Sequence, residues 1–215
     1  MPMRRGWKLL ADEFVNNGTL IEFHRDEIVI RPEITPPGVF FVDKGHFKVY
    51  ELTRSGNENI HTFKQPGNIF PMRWAIINQQ RESYTQAISD ATVYRLAASH
   101  FRDFLRNQPD VMIDTLKSMV MLYESYSERI HNLEYRYAKE RIAFRLLALA
   151  RRYGVLHKGK YYIHLPIRQS EFADSINVTR ETASRELGKL KRNGIIDYND
   201  TEYLILKPKA LEKLF

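Results

Sequence analysis

Two arginines and a glutamate lie close together in the last quarter of the chain, at a spacing that suits recognition of nucleic-acid bases. They are Arg180, Glu181 and Arg185, in the run TRETASRELGKLKR. A guanidinium can donate two hydrogen bonds to guanine, and a carboxylate can accept one from the amino group of cytosine. On a helix these residues share one side with Ser184, because positions three to four apart are neighbours. A helix that lays this side in the DNA major groove would bring all four to base edges.

The surrounding residues predict two short helices joined by a tight turn, which is a helix-turn-helix. The first helix should span residues 169–176, with its apolar residues at the helical period: Phe172, Ala173 and Ile176. Asn177 should make the turn, since Asn tolerates the left-handed conformation. Thr179 should cap the second helix, because its hydroxyl can accept a free backbone N–H. The buried side of that second helix is predicted to hold Ala183, Leu187 and Leu190.

A purely structural interpretation of this segment also exists. Helix-turn-helix pairs occur as packing modules, and Glu181 and Arg185, four apart, could form a helix-stabilising ion pair. The crowding of a cap, two arginines and a carboxylate into the first two turns favours DNA binding instead. The basic end of the helix, formed by Lys189, Lys191 and Arg192, favours it as well.

The segment resembles the helix-turn-helix of the CRP/FNR family of bacterial transcription regulators. In that family the pattern Arg-Glu-x-x-x-Arg follows a Ser or Thr cap, as it does here from Thr179 to Arg185. The resemblance implies that Gln169 and Ser170 contact phosphates, although capping of the first helix is an equally open role for them. It also implies a half-site like TGTGA. The predicted DNA-binding residues are Gln169, Ser170, Thr179, Arg180, Glu181, Ser184 and Arg185.

The charge of the chain is unevenly distributed. Residues 1–137 hold 17 basic and 17 acidic side chains, whereas residues 138–215 hold 16 basic and 9 acidic ones, so the whole net charge of +7 lies in the second part. A neutral first part and a basic second part fit a regulatory domain joined to one that contacts phosphates.

Several classes of protein are disfavoured by composition. The chain has no cysteine, so it cannot hold a cysteine-ligated iron–sulfur cluster, which one branch of the resembled family uses. Its 7 histidines show no metal-ligand spacing, and no catalytic or phosphate-loop motif occurs. The sequence therefore predicts no metal, no cofactor and no enzymatic activity. Without a long apolar run or a signal-peptide pattern, we expect a soluble, cytoplasmic protein that does not enter a membrane.

Residues 19–96 alternate short apolar segments with turn clusters. The predicted strands are residues 20–23, 27–30, 39–42, 47–52, 59–63, 84–88 and 92–96. Many short strands at this spacing are typical of a β-sandwich or barrel. Their order resembles the double-stranded β-helix, or jelly roll, of cyclic-nucleotide-binding domains, most clearly over Val39–Gly45 and Pro66–Phe70. The expected fold class is therefore α+β, with a jelly roll, a long helix and a winged helix-turn-helix.

A long helix should begin at Pro109 and carry a heptad seam. It could lie on its own β domain, but in the resembled family this helix is the dimer axis. We expect the dimer interface to include Leu116, Val120, Tyr123, Ser127 and Ile130. The expected domains are a cyclic-nucleotide-binding-like domain over residues 1–108, the dimerisation helix over 109–137 and the winged helix-turn-helix over 138–215.

The effector pocket departs from the family pattern. The resemblance implies a Gly-Glu pair for the ribose and an Arg-Ser pair for the cyclic phosphate, but Pro71-Met72 and Arg81-Glu82 stand at these places. A Thr-Ser pair that meets adenine is replaced by Tyr126-Ser127. We therefore expect no tight binding of cyclic AMP, although Ser83 could replace the missing serine through a one-residue bulge. The candidate pocket residues are Met72, Trp74, Arg81, Glu82, Ser83, Tyr126 and Ser127.

The leading hypothesis is a homodimeric transcription regulator that binds an inverted repeat in double-stranded DNA and responds to an unidentified effector. RNA polymerase would be a further partner if the protein activates transcription. Three alternatives stay open. They are a ligand-independent regulator with a filled pocket, a cyclic-nucleotide-responsive regulator with a divergent pocket, and a non-regulatory protein whose helix-turn-helix is a packing module for a partner.

Overall fold

The structure is a computed structural model that describes residues 5–79, 82–199 and 202–215. Arg81, which is a predicted pocket residue, lies outside the described residues, and so do Asp200 and Thr201. The chain divides into two compact units. One comprises residues 1–51 and 62–124, and the other comprises residues 52–61 and 125–215. The long helix contributes to both, so the bounds of the three predicted domains remain predictions.

The N-terminal strands form two four-stranded sheets, ordered β1-β8-β3-β6 and β2-β7-β4-β5. The strands are β1 (Thr19–Phe23), β2 (Ile28–Ile30), β3 (Val39–Lys44), β4 (Phe47–Leu52), β5 (Glu58–Lys64), β6 (Ile69–Phe70), β7 (Tyr84–Ala87) and β8 (Ala91–Leu96). The seven predicted strands are confirmed, with ends that differ by at most two residues. The short strand β6 was not predicted, because two apolar residues are too few to show a period.

Alternation along β3 divides the apolar residues between two cores, because successive side chains in a strand point to opposite faces. Phe40 and Val42 belong to the core formed by residues of both sheets. In this core the Phe70 ring lies 5.3 Å from both the Phe40 ring and the Phe47 ring, measured between centroids. Aromatic side chains therefore fill space between the sheets.

The other face of β3, with Val39 and Phe41, is covered by helices. These are α1 (Arg5–Asn17), α2 (Met72–Ile77) and α3 (Ala98–Asn107), and Val111 from the next helix joins them. The helix α2 was not predicted, since its six residues are too few for a periodic pattern.

The long helix α4 spans Pro109–Glu134 and has 26 residues. It ends three residues before the predicted boundary at residue 137. The next helix, α5 (Ala138–Tyr153), begins after Tyr137, whose backbone N–H donates to the Glu140 carboxylate at 3.2 Å. The chain therefore leaves the helical conformation at residues 135–137, between α4 and α5.

The C-terminal elements form a winged helix-turn-helix. After α5 come β9 (Gly154–His157), β10 (Lys160–Ile163), α6 (Gln169–Asp174), α7 (Arg180–Arg192), β11 (Ile196–Tyr198), β12 (Tyr203–Ile205) and α8 (Pro208–Glu212). The sheet order is β11-β12-β10-β9. The strand β9 was not predicted. Gly154 ends α5 and also begins a hairpin that turns through Lys158 and Gly159, both at positive φ. No helix among the described residues has the length and apolar character needed to cross a membrane.

Candidate nucleic-acid interface

The turn between α6 and α7 has the predicted geometry. Phe172, Ala173 and Ile176 are buried, as their spacing predicted. Asn177 adopts the left-handed conformation with φ of 54°, which confirms its predicted role in the turn. The Val178 backbone N–H then donates to the Ala173 carbonyl at 3.2 Å, which closes the turn and leads the chain into α7.

The helix α7 has one buried side and one exposed side. The Thr179 hydroxyl accepts a hydrogen bond from the Thr182 backbone N–H at 3.2 Å, so the predicted cap is confirmed. The predicted buried residues are also confirmed, and they are Ala183, Leu187 and Leu190. The four side chains with base-reading chemistry all lie exposed on α7, and they are Arg180, Glu181, Ser184 and Arg185.

Glu186 orients the basic side chains next to it on α7. Its carboxylate accepts from Lys189 Nζ at 2.8 Å and from Arg185 Nε at 3.2 Å. The hydrogen bond from Lys189, and then that from Arg185, lowers the pKa of Glu186, so the carboxylate stays ionised at neutral pH. The ion pair proposed between Glu181 and Arg185 is thus replaced by one between Glu186 and Arg185.

The start of α6 is capped by a residue that was not predicted to do so. The Glu171 carboxylate accepts a hydrogen bond from the Arg168 backbone N–H at 2.7 Å. Gln169 and Ser170 occupy the first two helical positions and are half-buried. The cap bond therefore does not need their side chains, and their contact with phosphates stays a prediction.

The wing is tied to the end of α7. Lys191 Nζ lies 2.6 Å from the Asp197 carboxylate and also donates to the Tyr198 carbonyl at 3.1 Å. The hydrogen bond from Lys191 lowers the pKa of Asp197, and the same bond raises the pKa of Lys191. With Lys189 paired to Glu186, two of the basic residues at the end of α7 are already matched with carboxylates inside the chain.

Among the described residues, no other element approaches Gly188 in α7 closely. A Cβ atom built at Gly188 would meet only Arg192 Nη1, at 3.5 Å, which is ordinary van der Waals contact with a flexible side chain. Gly188 is three positions from Arg185 and seven from Glu181, so it lies on the same side of the helix as the base-reading residues.

Two buried arginines near the end of α6 were not predicted. Arg129 on α4 and Arg145 on α5 are each 8% exposed, and both donate hydrogen bonds to Ser175. Arg145 lies between Ile142 and Leu149 at helical spacing, so the period could have shown that it is buried. Burial lowers the pKa of Arg145 to about 10, which leaves it charged at neutral pH.

The structure divides the predicted effector residues between the two units. Met72 and Trp74, on α2, pack against the core beneath the helices, and Glu82 is exposed shortly before β7. Tyr126 lies on α4 in the second unit, where its ring is 6.5 Å from that of His61. Ser83 is half-buried and Ser127 is exposed. A pocket built from all of these residues stays a prediction.

The predicted dimer residues all lie exposed along α4. Leu116, Val120, Tyr123 and Ile130 are 60%, 51%, 73% and 65% exposed, respectively, and Ser127 is exposed as well. Exposed large apolar side chains at a spacing of three and four are typical of a helix that packs against a partner helix.

Within the described ranges, no group of three or more His, Asp or Glu side chains could hold a metal ion.

Taken together, the exposed face of α7, its cap and the adjoining wing define a DNA-binding domain, preceded by a jelly roll and a long helix. Two family models match the chain. The Crp-like helix-turn-helix domain matches residues 140–214, and the cyclic nucleotide-binding domain matches residues 20–108. These matches together cover most of the chain, which belongs to the CRP/FNR family of transcription regulators.

Curated relatives agree with this assignment. The nitrogen fixation regulation protein FixK of Bradyrhizobium diazoefficiens is 26% identical over 202 residues, which are 94% of this chain and 84% of that protein. The anaerobic regulatory protein of Pasteurella multocida is 27% identical over 158 residues, which are 74% of this chain but only 58% of that protein. The chain thus spans less than two thirds of the latter relative.

Solved structures share the fold. A CooA mutant from Carboxydothermus hydrogenoformans matches with a TM-score of 0.77 and 22% identity, covering 93% of this chain and 88% of that chain. FixK2 from Bradyrhizobium japonicum matches with a TM-score of 0.75 and 22% identity, covering 92% of this chain and 96% of that chain. The predicted fold class is confirmed.

Proposed function

We propose that this regulator acts as a homodimer that reads an inverted-repeat operator with the exposed face of α7. The observation that carries the proposal is the arrangement of that face. Arg180, Glu181, Ser184 and Arg185 are exposed together, while the opposite side of α7 is buried in the domain. In a helix-turn-helix such a face enters the major groove, where arginine and glutamate distinguish base pairs.

The homodimer is supported by the exposed apolar residues of α4. Leu116 and Ile130 are each more than half exposed in the single chain. Packing each of them against the same residue in a second copy would bury apolar surface and so favour association. Two-fold symmetry of the protein is mirrored in the operator. We therefore expect two half-sites like TGTGA with centres about 34 Å apart, which is one helical turn of DNA.

The β domain is proposed to respond to a ligand other than a cyclic nucleotide, or to none. The packing of Phe40, Phe47 and Phe70 between the sheets favours an interior that is filled by the protein itself. If the protein activates transcription, RNA polymerase is its further partner. The cytoplasm, where bacterial DNA lies, is its expected location.

Selection of bound duplexes from random DNA tests this proposal. The full chain should enrich an inverted repeat, and a variant with both Arg180→Ala and Arg185→Ala should enrich no common sequence. Affinity for the selected site should fall steeply with salt, because phosphate contacts release counterions. If the native chain enriches no sequence, or enriches only a single unrepeated half-site, the proposed mode of binding is wrong.

A further inference from the structure

The guanidinium of Arg129 connects three separate acceptors within the second unit. Its Nη1 donates to the carbonyl oxygen of Ser175, which directly follows α6. Its Nη2 donates to the side-chain oxygen of Asn59, on β5, and lies 3.4 Å from that of Asn177 in the turn before α7. Segment 52–61, which holds Asn59, belongs to the same compact unit as residues 125–215.

Ser175 is held from two sides. While Arg129 binds its carbonyl, Arg145 Nε donates to its hydroxyl at 3.2 Å, and this hydroxyl donates to the Phe172 carbonyl at 2.7 Å. Ser175 itself is only 1% exposed. The end of α6 is therefore fixed by two cations from different helices, and the left-handed turn at Asn177 begins from this fixed point.

The acceptors of Arg129 are all neutral oxygens. A buried guanidinium loses its hydration and needs every hydrogen bond it can make, because a buried donor without an acceptor costs free energy. Burial accordingly lowers the pKa of Arg129, although a guanidinium remains protonated at neutral pH. Removing the Asn59 oxygen would leave Nη2 with the longer contact to Asn177 alone, so Arg129 and the turn that it binds would have to move.

We propose that Arg129 is a positioning residue for the recognition helix, through which Asn59 in the β4–β5 hairpin acts on DNA binding. Few contacts separate Asn59 from α7. Arg129 donates hydrogen bonds to Asn59 and also to Ser175 and Asn177, and the cap residue Thr179 follows Asn177 by two residues. Asn59 lies on a strand outside the helix-turn-helix, yet its loss should change how α7 meets base edges. This inference rests on the proposed recognition of DNA by α7, and it adds Asn59 as a residue that influences this recognition.

Variants of Asn59 test the inference without removing a buried charge. Asn59→Ala should weaken binding to the selected operator about tenfold, because the turn before α7 is then no longer held in the position that presents the base-reading side chains. Binding to random duplex DNA should stay within twofold. Asn59→Asp keeps an oxygen acceptor and should restore the operator affinity. Asn57→Ala is the matched control, since Asn57 lies in the same hairpin and its amide donates to Ser55 Oγ at 3.2 Å.

The experiment measures fluorescence anisotropy of labelled operator and random duplexes, with thermal unfolding as the check of folding. In an Arg129→Lys background the effect of Asn59→Ala should largely disappear, because the two residues act as a pair. The inference is overturned if folded Asn59→Ala binds the operator as tightly as the native chain does, or more tightly. Fully additive losses in the double variant overturn it as well. Failure of the native chain to select any sequence would instead refute the proposed function.

Discussion

Glu186 holds Arg185 by a hydrogen bond of 3.2 Å from Nε, so the guanidinium is oriented before any DNA is present. A neighbour that pre-orients a long side chain reduces the entropy that the side chain loses on binding. The two terminal nitrogens of Arg185 are the groups that would face a guanine. This relationship between adjacent residues should lower the entropic cost of placing Arg185 against DNA.

Replacing Arg180 or Arg185 with Ala should weaken binding to the preferred site by about 1–3 kcal/mol and relax the preference at one base pair. Titrations of operator variants, each with one changed base pair, would measure both effects. Arg106→Ala is a control that removes the same charge from α3, where Arg106 pairs with exposed Asp103. Equal losses on operator and random DNA would mean that the α7 arginines contact only phosphates.

Placing Asp at both Val120 and Ile130 should convert the dimer into a monomer. Each substitution would bring like charges together across a two-fold interface and replace apolar surface that is more than half exposed in one chain. Sedimentation velocity would measure the change. A paired substitution of Val155 and Leu156 with Asp is the control, because these β9 residues are each 59% exposed but do not lie on α4. A persistent dimer in the α4 variant would exclude this helix from the interface.

Gly188→Ala should raise the free energy of unfolding by about 0.5–1 kcal/mol, because alanine is favoured over glycine inside a helix and the site has room for a Cβ atom. Urea unfolding would measure it. Gly194→Ala is the contrasting control, since Gly194 has φ of 61° and should lose about 1 kcal/mol or more on substitution. Destabilisation by Gly188→Ala would reveal a packing role that the surroundings of Gly188 do not show.

Cyclic AMP should not bind in the low micromolar range. The carboxylate that would bind the ribose in the family is replaced by Met72, which packs against the core beneath the helices. Glu82 would also place a like charge beside the cyclic phosphate, a repulsion that can shift a micromolar affinity to roughly millimolar. Isothermal titration calorimetry with cyclic AMP and cyclic GMP would decide. A low micromolar dissociation constant that is lost in Arg81→Ala would contradict the prediction.

Local patterns predicted the parts of the fold that depend on neighbours in sequence. Asn177 and Thr179 were placed correctly because a left-handed turn and a helix cap each need only a few adjacent residues. The buried residues Ala183, Leu187 and Leu190 followed from the helical period. The strand β6 and the helix α2 were missed because each is too short to show any period.

These local patterns could not predict contacts between residues that are distant in sequence. The hydrogen bond between Arg129 and Asn59 joins positions 70 apart, and neither residue belongs to a motif. The role of Gly188 could not be predicted for a related reason, because only the atoms around a helical glycine show whether it makes room for a close contact. The pairing of Arg185 with Glu186 likewise depends on side-chain conformation rather than on spacing.

The neutral acceptors around Arg129 have a consequence for measurements at different ionic strengths. Mobile ions screen the attraction between opposite charges, but they act only weakly on a buried cation bound to amide and carbonyl oxygens. Contacts with DNA phosphates, in contrast, weaken steeply as salt is added. Titrating the regulator from its operator with salt should therefore remove the DNA while the end of α6 keeps its place. The contacts of Arg129 should therefore add little to the slope of that titration.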